Sequence, residues 1–349
     1  MEGKKVLIAM SGGVDSSAAA LFLKRQGYTC AGAMLSLLPG GNDPSDAAAA
    51  AERLGIPFYL LDRRELFARQ VMDPFVAAYC AGRTPNPCIF CNRHVKFGAL
   101  LDFALEQGYD YLATGHYARV ARDPDTGKYL LLRGRDGQKD QSYVLYQLTQ
   151  HQLSHLLLPV GDFGKETLRS AAREAGLANA DKSDSQDICF IPHGAYPRFL
   201  QEYGGVTLEP GDFVDATGRV LGRHKGLPCY TMGQRKGLGV SAGKHVYVVE
   251  KNPQDNTILL GDEADLYSRQ LLAAEVNWIS GEAPAGPIRC TAKTRYSQTE
   301  ADAVAEMTDT GLLRVTFDTP QRAVTPGQAV VLYQGEAVLG GGTIQCAES

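Results

Sequence analysis

The chain of 349 residues contains no apolar run that approaches the roughly 18 residues of a membrane-crossing helix. Positive charge is not in excess: 35 Lys and Arg stand against 39 Asp and Glu, so the net charge of −4 gives no global sign of nucleic-acid binding. Eight cysteines are too few for a disulfide scaffold in a chain of this length. We therefore expect a cytoplasmic protein without a membrane partner, whose cysteines are core residues, metal ligands or reactive thiols.

A glycine-rich turn near the start of the chain lacks a lysine. An apolar run at residues 6–9 leads into MSGGVDSS at residues 10–17, and a helix is predicted over residues 16–26. A strand–turn–helix junction presents backbone N–H groups to a phosphate, and Gly12 and Gly13 allow the anion a close approach. The P-loop of GTPases and kinases carries a lysine for the β- and γ-phosphates. Its absence here argues against γ-phosphate transfer, and a turn without any ligand is the alternative.

The fold class follows from the order of the predicted elements. Strands and helices alternate over residues 1–115, which predicts an α/β domain with a parallel sheet covered on both faces. From about residue 205 onward, short strands punctuated by Gly and Pro predict two small β-rich domains, the last of them barrel-like. We place the domains at residues 1–200, 201–270 and 271–349.

Two segments of the predicted α/β domain follow strands directly. They are residues 11–16 and residues 114–116, and ligands of parallel sheets bind beyond the carboxyl ends of strands, so both segments are expected at one crevice. Residues 117–133 read as a hairpin around the turn at residues 124–127. The Pro- and Asn-rich stretch at residues 82–93 reads as a loop.

Positive charge is concentrated in one glycine-rich segment, residues 219–251, which we call the basic segment. It holds seven Lys or Arg against a single acid, Glu250. Such a segment is typical of a surface that binds phosphate backbones, and a solvated charged loop is the alternative. The seven cations are Arg219, Arg223, Lys225, Arg235, Lys236, Lys244 and Lys251.

Three cysteines stand in settings that suit chemistry. Cys88 and Cys91 form a CxxC pair, a spacing that recurs in redox and metal sites and is weak on its own. Cys189 follows a polar, acid-bearing turn and precedes an apolar strand, which would present its thiol to a site. The other five are expected to pack as small apolar residues. They are Cys30, Cys80, Cys229, Cys290 and Cys346.

Motifs along nearly the whole chain resemble those of one family. SGGVDS at residues 11–16 resembles the PP-loop of the ATP pyrophosphatases, which split ATP between the α- and β-phosphates and adenylate a carbonyl oxygen. Further motifs, in the same order, resemble those of the bacterial tRNA-specific 2-thiouridylase (MnmA) family. They lie at residues 82–92, 96–97, 113–117, 139–143, 187–191, 233–239, 294–296 and 326–328.

The resemblance implies an enzyme, a sulfurtransferase that adenylates the C2 oxygen of the wobble uridine of tRNA and then replaces it with sulfur as AMP leaves. Cys189 would carry the sulfur as a persulfide, and Cys91 would be the nucleophilic or resolving thiol. Either the persulfide attacks directly, or Cys91 releases hydrosulfide and forms a Cys91–Cys189 disulfide. An electropositive setting is expected because the thiolate is the reactive form. ATP and magnesium are the implied cofactors. The implied partners are tRNA and a sulfur carrier protein or cysteine desulfurase that donates the persulfide.

The resemblance also implies binding residues, among which Asp15 would help to place pyrophosphate and magnesium. The implied ATP site comprises Ala9, Met10, Ser11, Gly12, Gly13, Val14, Asp15, Ser16, Leu35 and Gly115. The target base must leave its stack to be reached. The residues expected to line it are Asn86, Pro87 and Cys88, and the expected tRNA contacts are His116, Lys139, Asp140, Gln141, Arg295, Tyr296 and Gln328.

One departure from the family pattern leaves the sulfur route open. Cys88 stands where the family pattern NPDxxCN has Asp. Cys88, Cys91 and Cys189 would therefore suit an iron–sulfur cluster that carries a sulfide, although we favour the persulfide on Cys189. Two other functions are alternatives to tRNA thiolation. A PP-loop amide-forming ligase needs no cysteine pair, and a non-catalytic tRNA-binding protein needs no intact PP-loop.

Overall fold

The computed structural model describes residues 3–41, 43–182, 188–191, 196–241 and 243–348. Helices and strands alternate in its first half. The strands are β1 Lys5–Ala9, β2 Thr29–Ser36, β3 Phe58–Asp62, β4 Tyr111–Ala113, β5 Ala118–Arg122, β6 Tyr129–Arg133 and β7 Leu156–Leu157. The helices are α1 Val14–Arg25, α2 Ser45–Leu54, α3 Arg64–Phe67, α4 Asp73–Cys80, α5 Pro87–Phe90, α6 Leu101–Glu106, α7 Gln150–Ser154 and α8 Lys165–Glu174.

The second half of the described chain is almost entirely β-structure. It opens with the helix α9 Tyr196–Glu202. Its strands are β8 Gly211–Val214, β9 Val220–His224, β10 Tyr247–Asn252, β11 Thr257–Gly261, β12 Tyr267–Trp278, β13 Ile288–Lys293, β14 Ala301–Met307, β15 Leu313–Arg322, β16 Ala329–Gln334 and β17 Ala337–Glu348. Within the described ranges, every helix is too short or too polar to span a bilayer.

A five-stranded parallel sheet organises the first half, with the strand order β3-β2-β1-β4-β7. The central strand β1 is buried on both faces. Leu7 packs into a core on one side, while Val6 and Ile8 pack with the alanine-rich face of α1 on the other. A central parallel strand reads as a continuous apolar run for this reason, so the predicted α/β fold is confirmed.

Two β-units follow. Strands β10-β11-β8-β9 form a four-stranded sheet, in which β11 and β8 run parallel. Strands β12-β15-β14-β13-β16-β17 close into a six-stranded barrel, because β12 pairs with both β15 and β17. Closure leaves the barrel without an exposed edge, and the predicted pair of β-rich domains is confirmed.

The hairpin β5–β6 belongs to the sheet of the barrel, although it lies early in the chain. Val338 of β17 pairs with Leu131 of β6, which extends the barrel sheet to eight strands. The guanidinium of Arg133 forms a bidentate ion pair with Glu300 at the same junction. The hairpin ties the barrel to the parallel sheet.

The stretch that the sequence predicted as a loop at residues 82–93 is helical from Pro87 onward. Helix α5, a π-helical segment at Cys91–Leu100 and helix α6 follow one another without a break. Asn86 begins this helix, because its side-chain oxygen accepts a hydrogen bond from the Cys88 N–H at 3.1 Å. Proline suits the first helical position, where no N–H is needed. The proline and asparagine that indicated a loop are the start signal of a helix.

The residues before this helix dock on the barrel. The Thr84 N–H donates to the Pro326 carbonyl at 2.9 Å, and the Gln328 side-chain amide donates to the Thr84 carbonyl at 2.7 Å. Gly327, between the two, has a φ of +90°, and a Cβ there would lie 2.9 Å from the Thr84 nitrogen. The barrel therefore holds the segment that leads into Cys88 and Cys91.

This docking predicts that Gly327→Ala destabilises the protein more than Gly335→Ala. Both glycines have positive φ, but a Cβ at Gly335 would meet nothing within 4 Å. Backbone strain is expected to cost each variant about 1 kcal/mol, and the clash with Thr84 is expected to add roughly 1–2 kcal/mol in Gly327→Ala. Urea unfolding of the two variants measures the difference, and equal losses would show that the barrel does not press on this segment.

Candidate active site

The glycine-rich loop joins β1 to the N-terminus of α1 and is closed by its own hydroxyls. The Ser16 hydroxyl accepts from the Ser11 N–H at 3.2 Å and donates to the Gly13 carbonyl at 3.0 Å. Asn179, which the sequence did not single out, donates its side-chain amide to the Gly12 carbonyl at 3.0 Å. Gly12 has a φ of +77°, a conformation that favours glycine. Hydrogen bonds within the loop and one from Asn179 thus hold the loop in its conformation.

Asp15, at the start of α1, is bound by two side chains from distant parts of the chain. Lys165 places its ammonium 2.8 and 3.0 Å from the two carboxylate oxygens, and the Tyr117 hydroxyl donates to one of them at 2.7 Å. The Lys165 side chain is only 10% exposed. The loop sequence has no lysine, but folding brings one to the loop. It is Lys165, the first residue of α8, which lies 150 positions after Asp15 in the chain.

Gly115 brings the end of β4 against the same loop. A Cβ at this position would lie 2.7 Å from the Ser16 nitrogen and from the Asp15 carbonyl carbon, so only glycine fits. The register of the parallel pair β1–β4, with Ile8 opposite Ala113, sets this contact. The two segments expected at one crevice do meet there. The remaining predicted ATP-site residues lie at the carboxyl ends of β1 and β2 or where the loop enters α1: Ala9, Met10, Val14 and Leu35.

His116, a predicted tRNA contact, lies inside the protein. It is 8% exposed, and its Nδ1 is 2.8 Å from the Thr114 hydroxyl. Burial, with a smaller contribution from the charge of Lys96, holds the pKa of His116 well below its usual range. The imidazole is therefore neutral at physiological pH, and a buried neutral ring is better suited to lining the site than to pairing with a phosphate.

The three cysteines of the predicted sulfur chemistry come from two segments that pack together. Cys88 and Cys91 lie one turn apart at the start of the helix that Asn86 caps, and the neighbours of Cys189, Ile188 and Phe190, pack in the same apolar cluster as Cys91. Cys91 is buried, whereas Cys88 and Cys189 each keep part of their residue surface exposed. The polar turn at residues 183–187 that precedes Cys189 lies outside the described residues.

Burial dominates the electrostatics of this thiol cluster. Desolvation raises the pKa of Cys88 and Cys91 above the usual range, and it raises the pKa of Cys189 to about 11 with help from the two neighbouring sulfurs. The ammonium of Lys96 opposes the rise at all three sulfurs. The expected electropositive setting therefore consists of one lysine, whose charge lowers the thiol pKa values by less than burial raises them. In this state all three thiols are protonated at neutral pH.

The cluster does not have the form of a metal site. Over the described ranges, no three His, Cys, Asp or Glu side chains are arranged to hold a metal ion together. The structure therefore gives no support to an iron–sulfur cluster at Cys88, Cys91 and Cys189. A carboxylate such as Asp15, in contrast, is the oxygen ligand that magnesium prefers.

Most of the residues predicted to contact tRNA make hydrogen bonds within the protein instead. The Arg295 guanidinium donates to the Ala323 carbonyl and the Thr325 hydroxyl at 2.7 and 2.6 Å. Asp140 accepts from the Ser142 N–H at 3.1 Å. Gln141 accepts from the Tyr117 N–H at 2.9 Å, and Gln328 is engaged with Thr84 as described. These four side chains are held by hydrogen bonds within the protein, and Lys139 is half-buried.

Tyr296 is the predicted tRNA contact that faces outward. It is 43% exposed, its ring centroid lies 6.0 Å from that of Tyr143, and it interacts electrostatically with Cys88. An exposed aromatic ring beside the thiol cluster is suited to stacking on a base.

The basic segment is less positive than its own residues indicate, because it pairs with acids outside its limits. Arg219, Arg223 and Lys244 form ion pairs with Asp215, Asp212 and Asp262. Lys251 is largely buried and donates to the Tyr230 carbonyl, and burial lowers its pKa to about 8. The exposed remainder comprises Lys225, Arg235 and Lys236.

An SGGVDS loop on a parallel α/β sheet, followed by two β-units, defines a PP-loop nucleotide-binding protein. Family models agree with that class. The tRNA methyl transferase HUP domain model matches residues 4–193, the tRNA methyl transferase PRC-barrel domain model matches residues 197–262, and the aminomethyltransferase beta-barrel domain model matches residues 268–344.

Relatives that match nearly the whole chain show which family within this class the protein belongs to. Proteins named tRNA-specific 2-thiouridylase MnmA are 50% identical in Moorella thermoacetica (97% of this chain and 99% of the relative) and 48% identical in Acetivibrio thermocellus (99% and 100%). A solved complex of a 4-thiouridine synthetase with RNA and ATP covers 54% of this chain and 44% of that chain at 17% identity, and its TM-score of 0.37 is too low to inform the site. The chain belongs to the tRNA-specific 2-thiouridylase MnmA family.

The Asp15–Lys165 pair predicts a stability cost for Lys165→Met. The variant leaves a half-buried carboxylate without this cation, and the loss is expected at about 2 kcal/mol, below the roughly 3–5 kcal/mol of a fully buried pair. Lys182→Met is the matched control, because Lys182 pairs with Asp46 on the surface and is expected to cost at most about 1 kcal/mol. Urea unfolding separates the two, and equal effects would contradict the structural role of Lys165.

The protonated thiols predict a steep pH dependence of alkylation. With a pKa of about 11, the thiolate of Cys189 grows with pH, so its reaction with iodoacetamide is expected to rise about tenfold per pH unit between pH 7 and 10. The same cysteine in urea-unfolded protein is expected to level off above roughly pH 9. Peptide mass spectrometry follows both rates, and a native profile that levels off with the unfolded one would refute the account of burial.

Proposed function

We propose that this protein is a sulfurtransferase that uses ATP to convert a uridine of tRNA into 2-thiouridine. The observation that carries the proposal is the gathering of Cys88, Cys91 and Cys189 beside a PP-loop sheet. Leu35, at the end of β2, packs in the same apolar cluster as Cys91, so the thiols lie toward the edge of the sheet where the loop begins. The named relatives are tRNA-specific 2-thiouridylases, which agrees with this assignment.

The first step is activation of the base by ATP. The C2 oxygen of uridine belongs to a urea-like carbonyl and is a very poor leaving group. Its attack on the α-phosphorus forms a C2–O–AMP bond and releases pyrophosphate, so the oxygen can later depart with AMP. The loop at residues 11–16 supplies backbone N–H groups and hydroxyls to the phosphates. Asp15 would hold the magnesium of MgATP, and the Lys165 ammonium beside it suits the pyrophosphate.

The second step transfers sulfur between the cysteines and the base. The terminal sulfur of a Cys189 persulfide attacks C2, and the C2–O bond breaks as AMP leaves. The Cys91 thiolate then attacks the Cys189 sulfur, which breaks the S–S bond and leaves both electrons of that bond on the sulfur of the base. Alternatively, Cys91 first releases hydrosulfide, which attacks C2. Both routes end with a Cys91–Cys189 disulfide, which a cellular dithiol must reduce.

The partners follow from the same chemistry. A sulfur carrier protein or a cysteine desulfurase would load the persulfide onto Cys189, which is exposed. The flipped uridine would lie against Asn86, Pro87 and Cys88, with Tyr296 available for stacking. A reducing compartment, the cytoplasm, is the setting that keeps such thiols reduced between turnovers.

The proposal predicts that Cys91→Ser and Cys189→Ser each lose 2-thiouridine formation by at least about a hundredfold, because serine neither carries nor resolves a persulfide. Pyrophosphate release that depends on tRNA is expected to persist in both, since activation precedes sulfur transfer. Ser11→Ala is expected to weaken both activities. Nucleoside mass spectrometry and a pyrophosphate assay, with ATP, tRNA and a persulfide donor, measure the two steps.

Cys346→Ser is the matched control, since Cys346 is an exposed thiol on the barrel strand β17. It is expected to retain both activities. Full thiolation by Cys189→Ser would refute the persulfide route. Pyrophosphate release with an ammonia-dependent product would identify an amide-forming ligase, and tRNA binding without any AMP would identify a non-catalytic protein.

A further inference from the structure

The helix that carries two of the three thiols has an unusual middle turn. From Cys91 to Leu100 it is π-helical, so its hydrogen bonds join residues five apart. In an α-helix, residues five apart point about 140° away from each other. The wider turn brings residue i+5 back over residue i, and for Cys91 that residue is Lys96. The π-helical segment therefore brings a lysine onto the face that presents the thiols.

The Lys96 ammonium acts on every member of the thiol cluster. Its charge favours the thiolate at Cys88, at Cys91 and at Cys189, although these sulfurs come from two separate parts of the chain. It also acts on His116, which follows β4 beside the nucleotide loop. The charge of Lys96 thus influences both the thiols and the residue that follows β4. The sequence shows it in the motif at residues 96–97 but gives it no role.

Among the described residues, the other titratable groups that interact electrostatically with the cluster are neutral or acidic. His116 is buried and neutral. Tyr296 of the barrel faces Cys88, and its pKa is raised by burial, so it is a neutral phenol. Asp140 acts on Tyr296 from the neighbouring turn and adds negative charge. In the part of the chain that the structure describes, Lys96 is therefore the group that can balance an anion on sulfur.

We propose that Lys96 is the anion-stabilising residue of the thiol cluster, where its ammonium holds the persulfide anion of Cys189 and the thiolate of Cys91 during sulfur transfer. This inference rests on the proposed function and assigns one further residue to it. When the terminal sulfur attacks C2, its negative charge passes to the departing AMP. When Cys91 attacks the Cys189 sulfur, charge moves from one sulfur to the next. A single cation within reach of all three sulfurs serves both moves without relocating.

The test compares Lys96→Met with Lys96→Arg, because methionine keeps the length of the side chain without the charge and arginine keeps the charge. Alkylation of Cys91 and Cys189 by iodoacetamide is followed between pH 7 and 10 in the full-length protein without tRNA or ATP. We expect Lys96→Met to slow alkylation at pH 8 by about three- to tenfold, equivalent to a pKa raised by roughly half to one unit. Lys96→Arg is expected to restore most of the rate.

Arg93→Met is the matched control for alkylation. Arg93 is an exposed cation on the same π-helical segment, and its guanidinium is engaged with Gln147, to which it donates at 2.7 Å. Its alkylation profile is expected to match that of the unmodified protein. Thermal unfolding of all three variants shows whether a change in reactivity comes from a loss of fold.

A second readout links the residue to the reaction. In single turnovers with persulfide-loaded enzyme, Lys96→Met is expected to slow 2-thiouridine formation at least about tenfold while tRNA-dependent pyrophosphate release stays within about twofold. An unchanged alkylation profile, or an altered profile with full thiolation, would overturn the role of Lys96. If Lys96→Met slows alkylation as expected but the unmodified protein never thiolates tRNA, the proposed function fails and the electrostatic role of Lys96 stands.

Discussion

The site depends on the parallel pairing of β1 with β4. That register brings Gly115 against the backbone of Asp15 and Ser16, which only glycine permits. The ends of both strands then share one edge of the sheet with the nucleotide loop. His116 follows at the same edge and is reached by the charge of Lys96, which in turn acts on the thiols. One backbone register therefore sets how the glycine-rich loop meets the end of β4.

Burial and charge act in opposite directions at the thiols. In the free protein the raised pKa values keep the three cysteines protonated, so little thiolate is available for oxidation or alkylation at neutral pH. One lysine lowers the cost of forming an anion when a persulfide arrives. A persulfide and a flipped base would therefore enter a thiol cluster that carries little negative charge beforehand. The barrel contributes by clamping Thr84 next to the helix that carries Cys88 and Cys91.

The sequence predicts what is local and misses what is brought together by folding. The strand β1, the loop at residues 11–16 and the helix α1 are contiguous in the chain, so their residue pattern predicts them. Lys165 is 150 positions from Asp15, and no spacing connects them. Prolines beside Cys88 read as a loop because a helix start and a turn use the same residues. The excess of positive charge within the basic segment is reduced by Asp212, Asp215 and Asp262, which lie outside its limits in the sequence and pair with three of its cations.

In the proposed reaction, Cys91 and Cys189 act on the same sulfur atom. A single turnover with persulfide-loaded enzyme, ATP and tRNA tests it most directly, with the disulfide content read by peptide mass spectrometry after acid quenching. The account predicts one Cys91–Cys189 disulfide for each 2-thiouridine formed, and none when ATP is omitted. Thiouridine formed in full while both thiols stay free would contradict it.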